Sequence, residues 1–461
     1  MSDLTDDPEL GDDAFFQKDA DRVFSELRSR IGEAHAQPRL GPTRRAVELL
    51  GDPQRAYPII HITGTNGKTS TSRIIESILR AYGLRTGLLT SPRLVRVNDQ
   101  IVVDGEPITN EAFVTNYRDI QPYLEIVDAE LIGAGELPLT FFEAFTTLAF
   151  ASFADAPVDV AVIEVGMGGE WDSTNVGDGQ VAVFTPISLD HTARLGNTVA
   201  EIARTKSGII KPAAAVVSAK QVPEALAELE RAAELTESSM AVQGNAFDLE
   251  ANTVAVGGQV ITVRGLAGTY RDLFLPLFGD HQAQNAAVAI AAVESFLGGG
   301  SQPLVGDVLA EGIATATSPG RVQVIGIEPT VIVDAAHNPD GALALAKAIA
   351  TYFSFDEVAV VLGMLSDKDA RGIIGGLAAF ADRFHVTASS SDRAVPVDDL
   401  AALVLELTNE ETTYPFASVT EAIASAREWA SEAPRRGVVI TGSITLIGDA
   451  LVLAESEGWK R

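Results

Sequence analysis

The sequence predicts an α/β protein in two parts. The larger, N-terminal part is a P-loop domain with a mainly parallel sheet, and the smaller, C-terminal part is a Rossmann-like α/β domain. Three observations predict this. The apolar segment Ile59-Ile-His-Ile-Thr63 runs into Gly64-Thr-Asn-Gly-Lys-Thr-Ser70 and then into a helical stripe of Ile74, Ile75, Ile78 and Leu79. Short apolar runs alternate with helical segments through most of the chain, as in a parallel sheet covered on both faces. A second alternation starts after Val322, beyond Gly/Ser/Pro-rich stretches at 298–303 and 317–320.

In chain order, residues 1–13 are acidic and punctuated by Gly and Pro, the composition of a disordered tail. A helix follows, its buried stripe formed by Phe16, Val23, Phe24, Leu27 and Ile31. Strands are expected at 57–63, 86–90, 158–165, 181–187 and 214–218, with helices at 68–82, 140–154, 197–206 and 222–235. Between 246 and 278, Asn252, Gly257-Gly258 and Gly265 separate short alternating runs, which predicts antiparallel strands. Gln282 to Phe296 is Ala-rich and helical. The second series places strands near 330–334, 357–362, 383–388 and 437–441, and helices near 340–352, 368–380, 397–408 and 419–430. The expected domains are therefore 14–316 and 321–461. The second has no phosphate loop, so nucleotide chemistry is expected in the cleft between the two.

Composition narrows the function classes. The net charge of −29, from 63 acidic and 34 basic residues, argues against nucleic acid or an anionic membrane as the main partner. It leaves anionic small molecules open, because a local cluster of Lys, Arg and Mg²⁺ outweighs charge lying beyond the screening length. With no cysteine, disulfides, thiolate metal sites and Cys nucleophiles are excluded. The acidic N-terminus does not resemble a signal peptide and no apolar run approaches a membrane span, so a cytoplasmic protein is the simplest expectation.

The phosphate loop carries the clearest chemistry. Gly64 and Gly67 permit tight or left-handed backbone, so successive N–H groups can face one anion. Thr65 and Asn66 complete the turn, Lys68 brings a point charge to the β/γ-phosphates, and Thr69 or Ser70 offers a hydroxyl to Mg²⁺. The first glycine of the general pattern is absent, so the loop is a shortened variant. Glu164 ends the strand Val-Asp-Val-Ala-Val-Ile and opens Gly166-Met-Gly-Gly169, where a carboxylate can hold Mg²⁺ opposite the loop. Asp190-His191 follows the next strand in the same way, which favours a ligand over a structural histidine. Lys206 ends a helix, and by composition alone it reads as a lysine complementing the helix dipole. His61 reads as structural and the phenylalanines of 141–153 as core.

Taken in order from about Leu40 to Ile447, these motifs resemble the folylpolyglutamate synthase/dihydrofolate synthase family, a branch of the ATP-dependent Mur ligases. Thr63–Ser70 resembles its phosphate loop and Thr90-Ser-Pro-Arg-Leu94 its folate-side loop. Glu164–Gly169 with Asp172-Ser-Thr-Asn175 is similar to its magnesium strand, and Asp190-His191 with Leu195-Gly-Asn-Thr198 to its second metal segment. Gly279-Asp-His-Gln-Ala-Gln-Asn285, Pro319-Gly-Arg321, Asp334-Ala-Ala-His-Asn-Pro339, Asp367-Lys-Asp369 and Thr441-Gly-Ser443 match its later motifs.

The resemblance implies an ATP-dependent ligase that adds L-glutamate to dihydropteroate, to reduced folates, or to both, through an acyl phosphate. It implies that Ser70 or Thr69, Glu164 and His191 ligate Mg²⁺, two ions in all, and that Lys206 is carbamylated by CO₂, reversing its bland reading. It implies that Asn285, Arg321 and Asp334 serve ATP beside Gly64–Ser70, and that Ser91, Pro92 and Arg93 serve the substrate. Lys68, Lys206, Asp334 and His337 are the catalytic candidates, with the base that deprotonates the glutamate amine left open between His337 and Asp334. A monomer acting on ATP, glutamate and a pterin-bearing acid is expected. The chain departs from the family pattern at Arg93 (often His), Glu170 (often basic), Thr69 (often Gly), and Thr205 and Ser207 (often Glu and Ala). The rival readings are a muropeptide ligase and a nucleotide-binding protein without catalysis.

Overall fold

The computed structural model describes residues 15–30 and 38–460. The acidic segment 1–13 and Ile31 lie outside the described residues. Contacts divide the chain into two compact units. One runs to Phe247 and includes Gly265–Gly268 and Val288–Gly312; the other contains Asp248–Arg264, Thr269–Ala287 and Ile313–Arg461.

Among the described residues of the first unit, eight strands form one sheet: β1 (Ile59–Thr63), β2 (Thr86–Leu89), β3 (Ile101–Val103), β4 (Glu106–Pro107), β5 (Val160–Glu164), β6 (Gly179–Phe184), β7 (Ala215–Ser218) and β8 (Ser239–Val242). Their order is β4-β3-β2-β5-β1-β6-β7-β8. The pairs from β2 to β8 are parallel, while β3 and β4 add antiparallel at one edge. Every residue of β1 and β5 is buried, which suits their mainly Ile, Val and Ala composition, with His61, Thr63 and Glu164 the polar exceptions. The helix Lys68–Ala81 buries Ile74, Ile75, Ile78 and Leu79. The helix Gln17–Ser29 buries Val23 and Leu27 with Phe24 packed beside them, as the sequence stripe predicts.

The 24-residue helix Asn110–Gly133 has no counterpart in the sequence reading. Pro122 stands inside it and removes one helical hydrogen bond, a local signal against a continuous helix. Burial of Phe113, Tyr117, Ile120, Leu124 and Val127 along one face overrides that signal. Phe145, Phe150 and Phe153 of the helix Phe141–Asp155 are fully buried core residues.

In the second unit, β9 (Asp248–Ala255), β10 (Gly258–Arg264) and β11 (Thr269–Leu275) form an antiparallel sheet in the order β11-β10-β9. This segment, expected with the N-terminal domain, groups with the C-terminal residues because its polar side chains bind there. Tyr352 donates to Gln259 at 2.8 Å and Asn252 donates to Asp280 at 3.1 Å. The second sheet of this unit contains β12 (Gln323–Ile327), β13 (Thr330–Asp334), β14 (Glu357–Leu362), β15 (Arg383–Val386), β16 (Thr413–Pro415) and β17 (Arg436–Thr441), in the order β12-β13-β17-β14-β15-β16. Only the edge strand β12 runs antiparallel to its neighbour. The helix expected at 368–380 is confined to Ala370–Leu377, and Asp369 caps it by accepting from the Gly372 N–H.

Candidate active site

The order β5-β1-β6 sets three strand ends side by side. Ile62 is paired in register with Glu164, and Thr63 with Phe184. The loop after β1, the carboxylate ending β5 and the segment after β6 therefore emerge together at the carboxyl edge of the sheet, where open α/β sheets bind ligands.

Glycine geometry fixes the phosphate loop. Gly64 and Gly67 hold φ of 151° and 90°, and a side chain on Gly64 would collide with Thr185. Thr65 is pinned by its N–H to the Pro186 oxygen at 2.9 Å and its hydroxyl to the Ser188 oxygen at 3.0 Å. Gly67 is the N-cap of Lys68–Ala81 and offers no capping side chain, so the first-turn N–H groups point toward an anion site. Asn66 is half-buried and Ser70 buried.

Glu164 joins two segments. Its Oε1 accepts from the Thr69 hydroxyl at 3.0 Å, and its Oε2 accepts from the Ser91 N–H at 3.3 Å. The Thr69 hydroxyl is thus set against this carboxylate. Ser91 leads into a cis bond to Pro92, and the guanidinium of Arg93 stacks over the Phe24 ring, 4.7 Å from its centroid.

Lys206, on the helix Val199–Ser207, is buried and donates to the Gly64 oxygen at 2.9 Å. Lys68 reaches the same oxygen at 3.2 Å. Burial, and then the charge of Lys68, lowers the Lys206 pKa to about 7 against the opposing pull of Asp190 and Asp172. The Gly166–Gly169 turn sits close to this helix: Glu170 N–H donates to the Thr205 oxygen at 2.8 Å, and a side chain at Gly169 would strike the Lys206 backbone. His191 holds φ of 49°, and its N–H donates to Asp190 Oδ1 at 2.8 Å.

Sequence reasoning missed a buried polar chain beneath this edge. The Nε2 of His61 lies 2.9 Å from the Thr174 hydroxyl, and that hydroxyl donates to Asp172 Oδ1 at 2.5 Å. Asp172 Oδ2 accepts from the Met167 N–H at 2.8 Å. Since the Thr174 proton goes to Asp172, His61 must donate from Nε2. Burial raises the Asp172 pKa and depresses that of His61 to about 3.

In the second unit, Asp334 ends β13, and its two oxygens accept from the Val322 N–H at 2.9 Å and the Ala336 N–H at 2.8 Å. Burial pushes its pKa up, while the charge of Arg321 and these two bonds pull it down. His337 Nδ1 lies 2.8 Å from the Ala335 oxygen. Asn285 is buried and donates to Gln282 at 3.1 Å, and Arg321 bonds the Gly320 oxygen at 3.2 Å.

An oxygen-only pair of carboxylate and hydroxyl beside a phosphate loop fits Mg²⁺, which takes few protein ligands and completes its shell with phosphate and water. Among the described residues no cluster of three or more His, Asp or Glu side chains could hold a metal alone. No helix among them is long and apolar enough to cross a membrane.

Fold and site together define an ATP-dependent ligase of the Mur type. Residues 123–293 match the Mur ligase middle domain and 320–444 the Mur ligase glutamate ligase domain. The chain is 42% identical over 448 residues to the dihydrofolate synthase/folylpolyglutamate synthase of Mycobacterium tuberculosis, spanning 93% of this chain and 92% of that protein. The Bacillus subtilis protein of the same name is 32% identical, over 90% and 94% of the two chains. The structure of Mycobacterium tuberculosis folylpolyglutamate synthase complexed with ADP superposes with a TM-score of 0.91 at 41% identity, covering 95% of this chain and 99% of that one. Escherichia coli FolC in complex with DHPP and ADP gives 0.81 at 28% identity, covering 95% and 98%. The chain belongs to the dihydrofolate synthase/folylpolyglutamate synthase family.

Proposed function

We propose that this protein adds L-glutamate in amide linkage to dihydropteroate and to reduced folates, using ATP and releasing ADP and phosphate. The observation that carries the reading is the position of Glu164, which joins the phosphate-loop hydroxyl of Thr69 to the Ser91 loop through its two oxygens. Phosphate site and acceptor loop thus meet at one carboxylate.

A carboxylate is a poor electrophile. Transfer of the γ-phosphoryl group to the acceptor carboxylate makes an acyl phosphate, and attack by the glutamate amine then expels phosphate. Phosphoryl transfer asks mainly for positioning and charge neutralisation. Lys68 and the N–H groups of Gly64–Ser70 hold the phosphates in this scheme, and Ser91, Pro92 and Arg93 hold the acceptor. Mg²⁺ held by Glu164 with Thr69 or Ser70, and a second ion at His191 and Lys206, supply charge neutralisation at the transferring oxygens.

Carbamylation of Lys206 joins its neutral amine to CO₂ with loss of one proton and yields an anionic ligand. A pKa near 7 supports this, because much of the amine is unprotonated at neutral pH. In the second unit, Asn285, Arg321 and Asp334 serve the nucleotide, and His337 or Asp334 accepts the amine proton. We infer a cytoplasmic monomer with no nucleic-acid or membrane partner.

The test is glutamate-dependent ADP release, run in parallel with dihydropteroate and a reduced folate. Release with both supports the full reading and release with one restricts it to that step. No release with either returns the muropeptide ligase to the front.

A further inference from the structure

The structure gives Arg93 a specific aromatic setting. Its guanidinium carbon sits 4.7 Å from the centre of the Phe24 ring, and that of Arg28 sits 5.8 Å from the same ring. Two cations thus share one aromatic side chain on the helix Gln17–Ser29. A guanidinium held over an aromatic ring is restrained in position, and its planar fork of N–H donors matches a carboxylate in bidentate fashion.

Position connects this cluster to the reaction. Arg93 follows Ser91, whose N–H donates to Glu164 at 3.3 Å, and two residues of chain span at most about 7 Å. The acceptor carboxylate that is phosphorylated must lie beside Glu164. In a folate, that carboxylate is the γ-carboxylate of a glutamyl residue, whose α-carboxylate is three carbons away. The second anion therefore falls within reach of Arg93. Dihydropteroate has no such second carboxylate. The net charge of −29 also sharpens the need for local cations, because each added glutamyl unit brings another negative charge toward an acidic protein.

We propose that Arg93, held against Phe24 and assisted by Arg28, binds the α-carboxylate of glutamyl acceptors and sets the preference between folates and dihydropteroate. The inference rests on the ligase reading above. The experiment compares the unaltered protein with Arg93→Ala, Arg93→Lys and Phe24→Leu, using dihydropteroate and tetrahydrofolates carrying one or three glutamates, with thermal unfolding as the check on folding. In Arg93→Ala, KM for the folates should rise about tenfold or more, several-fold beyond the change for dihydropteroate, with the loss in KM rather than kcat. Arg93→Lys should recover part of it, and Phe24→Leu should show a smaller loss of the same sign. A KM change equal for both acceptor classes, or a loss confined to kcat, overturns the proposal. Absence of glutamate-dependent turnover in the unaltered protein overturns the ligase reading instead, so the two failures are distinct.

Discussion

Lys68 and Lys206 donate to one acceptor, the main-chain oxygen of Gly64, at 3.2 and 2.9 Å. Burial, and secondarily the charge of Lys68, lowers the Lys206 pKa to about 7, while Lys68 remains half-exposed at the helix start. In the proposed scheme Lys68 would face phosphate and Lys206 would take the carbamate. Lys68→Ala should lower ATP turnover by on the order of 10²–10³ through loss of charge at the transferring group. Near-normal ADP release in that variant would remove the phosphate-loop mechanism.

The proposed carbamylation of Lys206 requires the neutral amine. Its lowered pKa makes that form substantial at pH 8 and scarce at pH 6. Incubation with ¹³C-bicarbonate should give a carbamate carbon resonance that weakens over this range as pH falls and is missing in Lys206→Ala. The same variant should lose ligation and regain part of it with added formate or acetate. Full activity without a carboxylate supplement would exclude the carbamate.

Glu164 binds Thr69 through one oxygen and Ser91 through the other, so its charge is committed at the loop. Glu164→Gln keeps shape and removes charge. Mn²⁺ binding in the presence of a non-hydrolysable ATP analogue, followed by electron paramagnetic resonance, should weaken by roughly 10–100-fold, and Thr69→Val should weaken it less. If Ser70→Ala alone causes the larger loss, Ser70 is the metal hydroxyl and Thr69 orients the carboxylate.

The residues differ in how openly the sequence displays them. The phosphate loop was legible because its glycines, lysine and hydroxyls are contiguous and lie between a strand and a helix with clear periodicity. Glu164 was legible as the polar end of an apolar strand, whereas Asp190-His191 lies six residues beyond the end of β6 at Phe184. That Glu164 faces Thr69 follows from the order β5-β1-β6, which joins segments distant in sequence. Lys206 read as an ordinary helix-end lysine because neither its burial nor its bond to Gly64 leaves a local signature. The stacking of Arg93 on Phe24 and the chain from His61 to Asp172 depend on tertiary packing in the same way. Periodicity found most of both parallel sheets but lost Asn110–Gly133, where Pro122 broke the local pattern.

His61 predicts a pH limit on stability. Burial lowers its folded pKa from 6.5 to about 3, so between these values the unfolded chain binds the extra proton. Its contribution is complete above pH 6.5 and is lost as pH falls toward 3, amounting to about 2 kcal/mol at pH 5. His61→Gln retains a side-chain N–H for Thr174 and cannot charge. Urea unfolding at pH 7 and pH 5 should show a smaller acid loss in the variant. An identical acid loss in both proteins would mean that other groups set it.

Asp334 and His337 were left as alternative bases, and their surroundings separate them. Both oxygens of Asp334 are engaged by the N–H groups of Val322 and Ala336, which anchors the turn where Val322 holds φ of 45°. Asparagine at 334 offers only one carbonyl oxygen, so one N–H would face an amide donor. Asp334→Asn should therefore cost about 1–3 kcal/mol of stability by urea unfolding. His337 is half-buried and bonds its own segment at the Ala335 oxygen, so His337→Ala should cost little stability while lowering turnover. The pH profile decides between them: a base at His337 gives a limb that vanishes in His337→Ala. A limb that survives in His337→Ala and disappears in a folded Asp334→Asn protein would assign the proton to Asp334 instead.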